Sequence, residues 1–150
     1  GPEFLIIKSL VIREENENEI AMEALECEPY VDAFITDTFD PASGASGATG
    51  KTHDWDRSRA LVLTSHKPII LAGGLRAENV FEAIQQVQPY GVDSHTGVED
   101  AQGNKDRAKV REFMKQVHAA YASGVWHRCG IDNDRTKRVS DTEKKKARES

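Results

Sequence analysis

Cysteine is almost missing from this sequence: Cys27 and Cys129 are the only two in 150 residues. Two thiols make no disulfide framework, so the fold must rest on burial, and a reducing, cytoplasmic setting is expected. Long apolar runs are missing as well. No stretch approaches the ~20 apolar residues of a membrane span. The start, Gly1-Pro2-Glu3-Phe4, has neither the basic nor the long apolar region of a secretory signal. Residues 1–4 read instead as a tag or a truncation scar. Basic charge is scarce where a nucleic-acid face would need it. Lys and Arg number 20 against 25 Asp and Glu, and eight of the basic residues fall in 123–150 beside five acidic ones, which leaves residues 1–122 at −8. Phosphate neutralisation needs a basic face, so nucleic acid is not expected as a partner, nor is a membrane. Clustered metal ligands are absent too. His127 and Cys129 have a metal-like spacing, but two ligands make no site, and no metal is expected.

The apolar residues come in short runs separated by helical periodicity. Residues 5–12 are aliphatic and β-branched and read as a buried strand. In 18–28, Ile20, Ala24 and Cys27 share one helical face, with Ala21 and Leu25 beside them, until Pro29 ends the helix. Cys27 on that face is a small core residue rather than a nucleophile. A second strand is expected at 32–37, then a helix capped by Asp54 that carries Trp55, Leu61 and Val62. A third strand, 69–72, runs into Gly73-Gly74, and a helix over 77–88 carries Val80, Ala83, Ile84 and Val87 before Pro89. A fourth strand, 91–95, ends at Thr96-Gly97. Asp106 caps a last helix with the stripe Val110, Phe113, Met114, Val117 and Tyr121. Four strand–helix units in succession predict an α/β fold with a parallel sheet and right-handed crossovers. From Ser123 the pattern breaks down, and 123–150 reads as a polar, disordered tail whose Lys144-Lys145-Lys146 is a solvated charge run.

Asp37 stands at the polar end of the second strand, before a loop with Gly44, Gly47 and Gly50 that ends in Lys51. A strand holds such a carboxylate still, while a Gly-rich loop closes over a ligand and excludes water. The loop is not a nucleotide P-loop, which needs a glycine where Ala45 stands, and its glycine spacing is not the dinucleotide fingerprint. Gly73-Gly74 lets the backbone approach a ligand and aim free N–H groups at an anion. Gly97 offers a second set after the next strand. Two such strand ends side by side make a phosphate cup, as at the last two strands of a (βα)8 barrel; taken singly, they are merely tight turns. Asp93 and His95 alternate along the expected fourth strand and face the same way. They either bind sugar hydroxyls or satisfy loop amides.

In order and spacing, four stretches combine: Asp-Thr-Phe-Asp-Pro from Asp37, Gly-Lys-Thr-His-Asp-Trp from Gly50, Ile-Leu-Ala-Gly-Gly-Leu from Ile70 with Glu78-Asn79-Val80, and Gly-Val-Asp-Ser-His-Thr-Gly-Val-Glu from Gly91. Over residues 5–121 they resemble the phosphoribosylanthranilate isomerase family. The resemblance implies a parallel (βα)4 half of a TIM-type (βα)8 barrel, units five to eight, with a C-terminal extension. It implies an Amadori rearrangement of a phosphoribosyl amine in tryptophan synthesis, without a cofactor. Asp37 matches the general acid that protonates the ribose ring oxygen. Gly73, Gly74 and Gly97, with Thr96, match the phosphate loops; Asp93 matches a substrate-facing carboxylate, with His95 beside it; Gly50 and Lys51 lie in the loop over the ligand. The family's general base, a cysteine on the first strand, has no match here, and Ser94-His95-Thr96 stands where Val-Ser-Ser is more usual.

Without a base the chain alone is expected to be nearly inactive. A four-strand half also leaves two open edges and an unfilled apolar layer, which implies self-association or a complementary half barrel. A second hypothesis is a non-catalytic half barrel that binds a phosphorylated sugar and acts through such a partner. Another phosphate-binding barrel, such as a phosphosugar epimerase, is weaker, because the Gly-Lys-Thr-His-Asp-Trp loop argues against it.

Overall fold

Parallel strands cannot be joined by tight turns, so each neighbour in the sheet requires a crossover. The computed structural model, which describes residues 4–12, 17–38 and 52–124, shows four strands joined by three such steps. The strands are β1 (Ile7–Ile12), β2 (Ala33–Thr38), β3 (Ile69–Leu71) and β4 (Gly91–Val92). The helices are α1 (Glu17–Cys27), α2 (Thr52–Thr64), α3 (Val80–Val87) and α4 (Arg107–Ala122), with 3-10 turns at Glu28–Tyr30 and Thr96–Val98. Every pairing is parallel and the order in the sheet is β1-β2-β3-β4. Strands that follow chain order with right-handed crossovers keep all helices on one face. The burial pattern agrees: Leu10 and Ile12, Phe34 and Thr36, and Ile69 and Leu71 are inaccessible or nearly so. Their alternates Val11, Ile35, Asp37 and Ile70 face the other, more open side.

Two apolar clusters fill the helix side. Leu10, Ile12, Ile20, Ala24, Phe34, Leu61 and Ile69 form one; Trp55, Leu71, Leu75, Val80, Ile84, Val87, Phe113 and Val117 form the other. Val62 on α2 packs against both, so this helix joins the clusters.

Some expected boundaries move. The helix α2 begins at Thr52, so Asp54 lies inside its first turn and is not the residue before it. α3 starts at Val80, not at 77, because Asn79 is spent on a turn: its Oδ1 accepts from the Arg76 N–H at 2.9 Å and its Nδ2 donates to the Gly74 carbonyl at 3.0 Å. β4 stops at Val92, so Asp93 and His95 sit in the following loop rather than alternating along a strand. Asp106 does cap α4, its carboxylate accepting from the Ala108 and Lys109 N–H groups at 2.8 and 3.0 Å. The buried stripe of α4 is narrower than expected: Phe113, Val117 and Ala120 are covered, while Val110 and Met114 are 38 % and 43 % exposed. Ala21 and Leu25 on α1 are likewise exposed. Residues 1–3 of the terminal tetrapeptide, Gly50, Lys51, His127, Cys129 and residues 125–150 of the tail lie outside the described residues. No helix among the described residues is long and apolar enough to cross a membrane.

Candidate functional site

The open side of a parallel sheet offers a ligand the C-terminal ends of its strands, where the loops turn away and backbone N–H groups come free. A cavity of about 290 Å³ sits there. Its wall takes Ser9 from β1, Ile35, Thr36 and Asp37 from β2, Ala72 to Leu75 after β3, and Asp93 to Thr96 after β4. Asp37, Gly73, Gly74, Asp93, His95 and Thr96 are therefore brought to one place.

Asp37 pairs in register with Val11 of β1 and shares the open face with Ile35. It is half-buried, held by a strand with neighbours on both sides. The turn after β3 is built on two positive backbone angles, φ 99° at Gly73 and 63° at Gly74. A side chain at either position would be strained, so glycine is required there by conformation. Gly97 does not line the cavity. Its role in the fold is to admit the Leu75 carbonyl: a Cβ on Gly97 would fall 1.9 Å from that oxygen and 2.9 Å from Ser94 Oγ. Ser94 donates its hydroxyl to the same carbonyl at 2.6 Å.

The lysines near the site are held by the main chain and by one carboxylate. Lys105 places Nζ 2.6 Å from Glu99 Oε1 and 3.0 Å from the His95 carbonyl, and Lys109 donates to the Glu99 carbonyl at 2.6 Å. The hydrogen bond from Lys105 holds the Glu99 carboxyl below its ordinary range, against a smaller opposing effect of burial. His95 Nδ1 lies 3.5 Å from the same carboxylate, and the ring is largely exposed. Both lysines are thus engaged with the 95–99 segment, and no Lys or Arg is among the described residues of the cavity wall. An anion in this cavity would be met by backbone N–H groups and the hydroxyl of Thr96, with Asp37 and Asp93 as the ionisable carboxyls. Among the described residues no three His, Cys, Asp or Glu converge as metal ligands.

Reading the sequence missed the residues that hold these loops. Thr36, Asn79 and Ser94 hydrogen-bond to main-chain groups of the segment from Ala72 to Arg76. Asn79 carried a visible signal, an amide side chain just after a Gly-Gly turn. Thr36 carried none, because a threonine within an apolar run reads as one more strand residue.

A family model described as N-(5'phosphoribosyl)anthranilate (PRA) isomerase matches residues 2–116. N-(5'-phosphoribosyl)anthranilate isomerase 2 of Methanosarcina mazei is 53 % identical over 90 residues, which cover 60 % of this chain and 40 % of that protein. Among solved structures, phosphoribosyl anthranilate isomerase from Thermotoga maritima is similar with a TM-score of 0.62 and 30 % identity, over 77 % of this chain and 52 % of that one. Another, a phosphoribosyl anthranilate isomerase in complex with reduced 1-(o-carboxyphenylamino)-1-deoxyribulose 5-phosphate, matches with a TM-score of 0.52 and 28 % identity over 77 % of this chain and 50 % of that one. The chain spans about two fifths of the curated relative and about half of the solved structures. Its parallel four-strand sheet with helices is one half of a TIM-type barrel.

Proposed function

This chain belongs to the N-(5'-phosphoribosyl)anthranilate isomerase family, and from that premise we propose that it supplies the acid and phosphate-gripping half of an aldose–ketose isomerase. The substrate in this reading is N-(5'-phosphoribosyl)anthranilate, the pathway tryptophan biosynthesis, the compartment the cytoplasm, and no cofactor takes part. The observation that carries it is the single cavity wall shared by Asp37, the Gly73-Gly74 turn and the Ser94–Thr96 loop.

The chemistry follows from what each group can do. Asp37, protonated, gives its proton to the ribose ring oxygen as the ring C–O bond breaks, and the electron pair on the amine nitrogen forms the C=N bond. A base then removes the proton from the adjacent sugar carbon, and the resulting enamine rearranges to the ketose. The N–H groups of Gly73 and Gly74, with Thr96, grip the 5'-phosphate, and Gly97 lets the two turns that carry them meet. Asp93 and His95 meet the sugar, and Gly50 and Lys51, which lie outside the described residues, are assigned to substrate binding by the family resemblance alone. The phosphate is distant from the bonds that change, so its grip fixes the ribose against Asp37.

The family's cysteine base has no counterpart in the described cavity wall, which holds no cysteine. Cys27, the one described cysteine, is half-buried at the end of α1 beside the core cluster and away from the cavity. A proton-transfer group contributes roughly 10²–10⁴-fold, so the 150-residue chain alone binds the sugar phosphate and turns it over very slowly. The test is titration of the chain with ribose 5-phosphate and, separately, ribose, followed by amide NMR. Saturable shifts at Gly73, Gly74 and Thr96 with the phosphorylated sugar only are expected. Equal response to ribose, or none to either, refutes the reading.

A second reading, a non-catalytic sugar-phosphate-binding half barrel that works through association, is favoured by the exposed apolar residues at both ends of the sheet. Leu5, Ile6 and Ile7 on the β1 side, Met22 and Leu25 on α1, and Val110 and Met114 on α4 are all exposed. A second copy, or a complementary half barrel, would cover them.

A further inference from the structure

The turn after β3 has to hold two glycines in left-handed geometry just as its strand runs out of partners. In the β2–β3 ladder the last paired residues are Ile35 and Ile70, and β3 itself ends at Leu71. The next residue, Ala72, is buried, and its N–H has no main-chain acceptor among the described residues. Left unmade, such a bond costs the full desolvation of the amide. Its partner is the hydroxyl oxygen of Thr36, at 3.2 Å. The same hydroxyl points its proton towards the Ile70 carbonyl at 3.5 Å, the long end of the range.

Thr36 is fully inaccessible, 0 % exposed, and shares the helix-side face of β2 with Phe34, opposite to Asp37. It is one of the residues of the cavity wall, yet at 0 % exposure it offers no accessible surface to a ligand. A hydroxyl in such a place is unfavourable unless it is hydrogen-bonded, and an aliphatic side chain would suit the apolar surroundings as well. What the hydroxyl adds is a side-chain rung where the backbone ladder has stopped. That rung joins the residue next to Asp37 to the residue next to Gly73.

We infer that Thr36 is a positioning residue of the phosphate site: its hydroxyl, by holding the Ala72 N–H, aims the Gly73-Gly74 amides into the cavity and sets their distance from Asp37. The inference rests on the phosphate reading above and adds to it a residue that never touches the ligand.

The experiment uses the whole 150-residue chain and inorganic phosphate as probe. Thr36→Val keeps the shape and removes the hydroxyl. Thr36→Ser and Thr36→Ala form a second pair, both lacking the methyl group and differing only in the hydroxyl. Phosphate affinity is read from amide NMR titration, the rung from hydrogen exchange at Ala72, Gly73 and Gly74, and the fold from the denaturant midpoint. The loss of one buried hydrogen bond predicts roughly five- to tenfold weaker phosphate binding in Val and Ala than in Thr and Ser. Faster exchange is expected at those three amides in the same two variants. Should Val misfold, the Ser–Ala comparison carries the same contrast. Undiminished phosphate binding in the hydroxyl-free variants overturns the inference and leaves the phosphate reading standing. Absence of phosphate binding by the parent chain overturns both.

Discussion

Ser94 donates its hydroxyl to the carbonyl oxygen of Leu75 at 2.6 Å, and Gly97 comes so close to the same carbonyl that a Cβ on it would lie 1.9 Å from the oxygen. The turn after β3 and the turn after β4 are therefore built as one unit, with a side-chain donor and a missing Cβ at a shared oxygen. The cavity wall at 73–75 cannot shift without moving the wall at 94–96.

This makes Gly97→Ala a severe substitution. Its Cβ would lie 1.9 Å from the Leu75 oxygen, and that atom belongs to the backbone rather than to a side chain that can rotate away. Relief requires separating the two turns. Overpacking of this kind costs about 1–3 kcal/mol or more, so the denaturant midpoint should fall and phosphate binding should weaken with it. Ser94→Ala, which removes only the hydroxyl, is expected to cost about 1 kcal/mol. A Gly97→Ala chain as stable as the parent would mean that the turns do not meet as described.

Asp37→Asn separates the two halves of the proposed chemistry. Asparagine fills the same space on β2 and leaves the Gly73-Gly74 turn as it is, but it cannot give up a proton as a carboxylic acid does. The chain should bind ribose 5-phosphate as the parent does. Combined with a complementary four-unit half that carries a strand-borne cysteine, the parent chain should isomerise the phosphoribosyl amine, and the variant should be slower by roughly 10²–10⁴-fold. Equal rates remove Asp37 from the mechanism.

Where sequence and structure agree, one physical signal dominated. The strands carry short aliphatic runs whose alternation survives in the fold, and α3 buries Val80, Ala83, Ile84 and Val87 as its spacing requires. Asp106 behaves as a cap, its carboxylate accepting from two N–H groups of the first turn of α4. The misses share a cause. α4 follows the helical period, yet Val110 and Met114 stay exposed, because periodicity marks the apolar side of a helix and not whether a neighbour covers it. β4 breaks off after Val92, where Ser94 turns to reach Leu75, a contact 19 residues away along the chain. In the site, the residues facing the cavity were legible because carboxylates and paired glycines stand out at strand ends. Thr36 and Ser94 were not, because their role depends on which backbone group the fold leaves without a partner.

At the opposite end of the strands, Glu28 couples acidity to stability. Its Oε1 accepts from the Ser65 hydroxyl at 3.0 Å and the His66 N–H at 2.8 Å, and Oε2 lies 3.1 Å from His66 Nδ1. Burial raises the Glu28 pKa, but the His66 and Ser65 hydrogen bonds together outweigh it, and the net value lies below the ordinary 4.5. A carboxyl whose folded pKa is depressed favours the folded chain above its unfolded pKa, and that contribution fades as pH falls through the folded value. Stability should therefore hold from neutral pH down to about 4.5 and drop below it. Glu28→Gln should be less stable than the parent at neutral pH, with the difference narrowing in acid. Chemical denaturation across this range checks it; a constant difference would show that the carboxylate charge is not what matters.

The exposed apolar residues at the two ends of the sheet predict association. Among the described residues, β1 and β4 are its outer strands. The first and last helices carry Met22 and Leu25, and Val110 and Met114, exposed at 63 %, 65 %, 38 % and 43 %. Burying one such side chain contributes about 1.5–3 kcal/mol, and an open parallel edge adds unpaired main-chain groups. Two copies that set the first helix of one against the last helix of the other would cover both stripes and both edges at once. The chain should sediment as a dimer at high micromolar concentration and dissociate on dilution. Met114→Glu puts a charge in the middle of one stripe and should weaken dimerisation by about tenfold or more, while Lys115→Glu, a change of charge on a side chain that is already 72 % exposed, should have little effect. A chain that stays monomeric at every concentration, or two variants that weaken the dimer equally, would show that these stripes are not the contact.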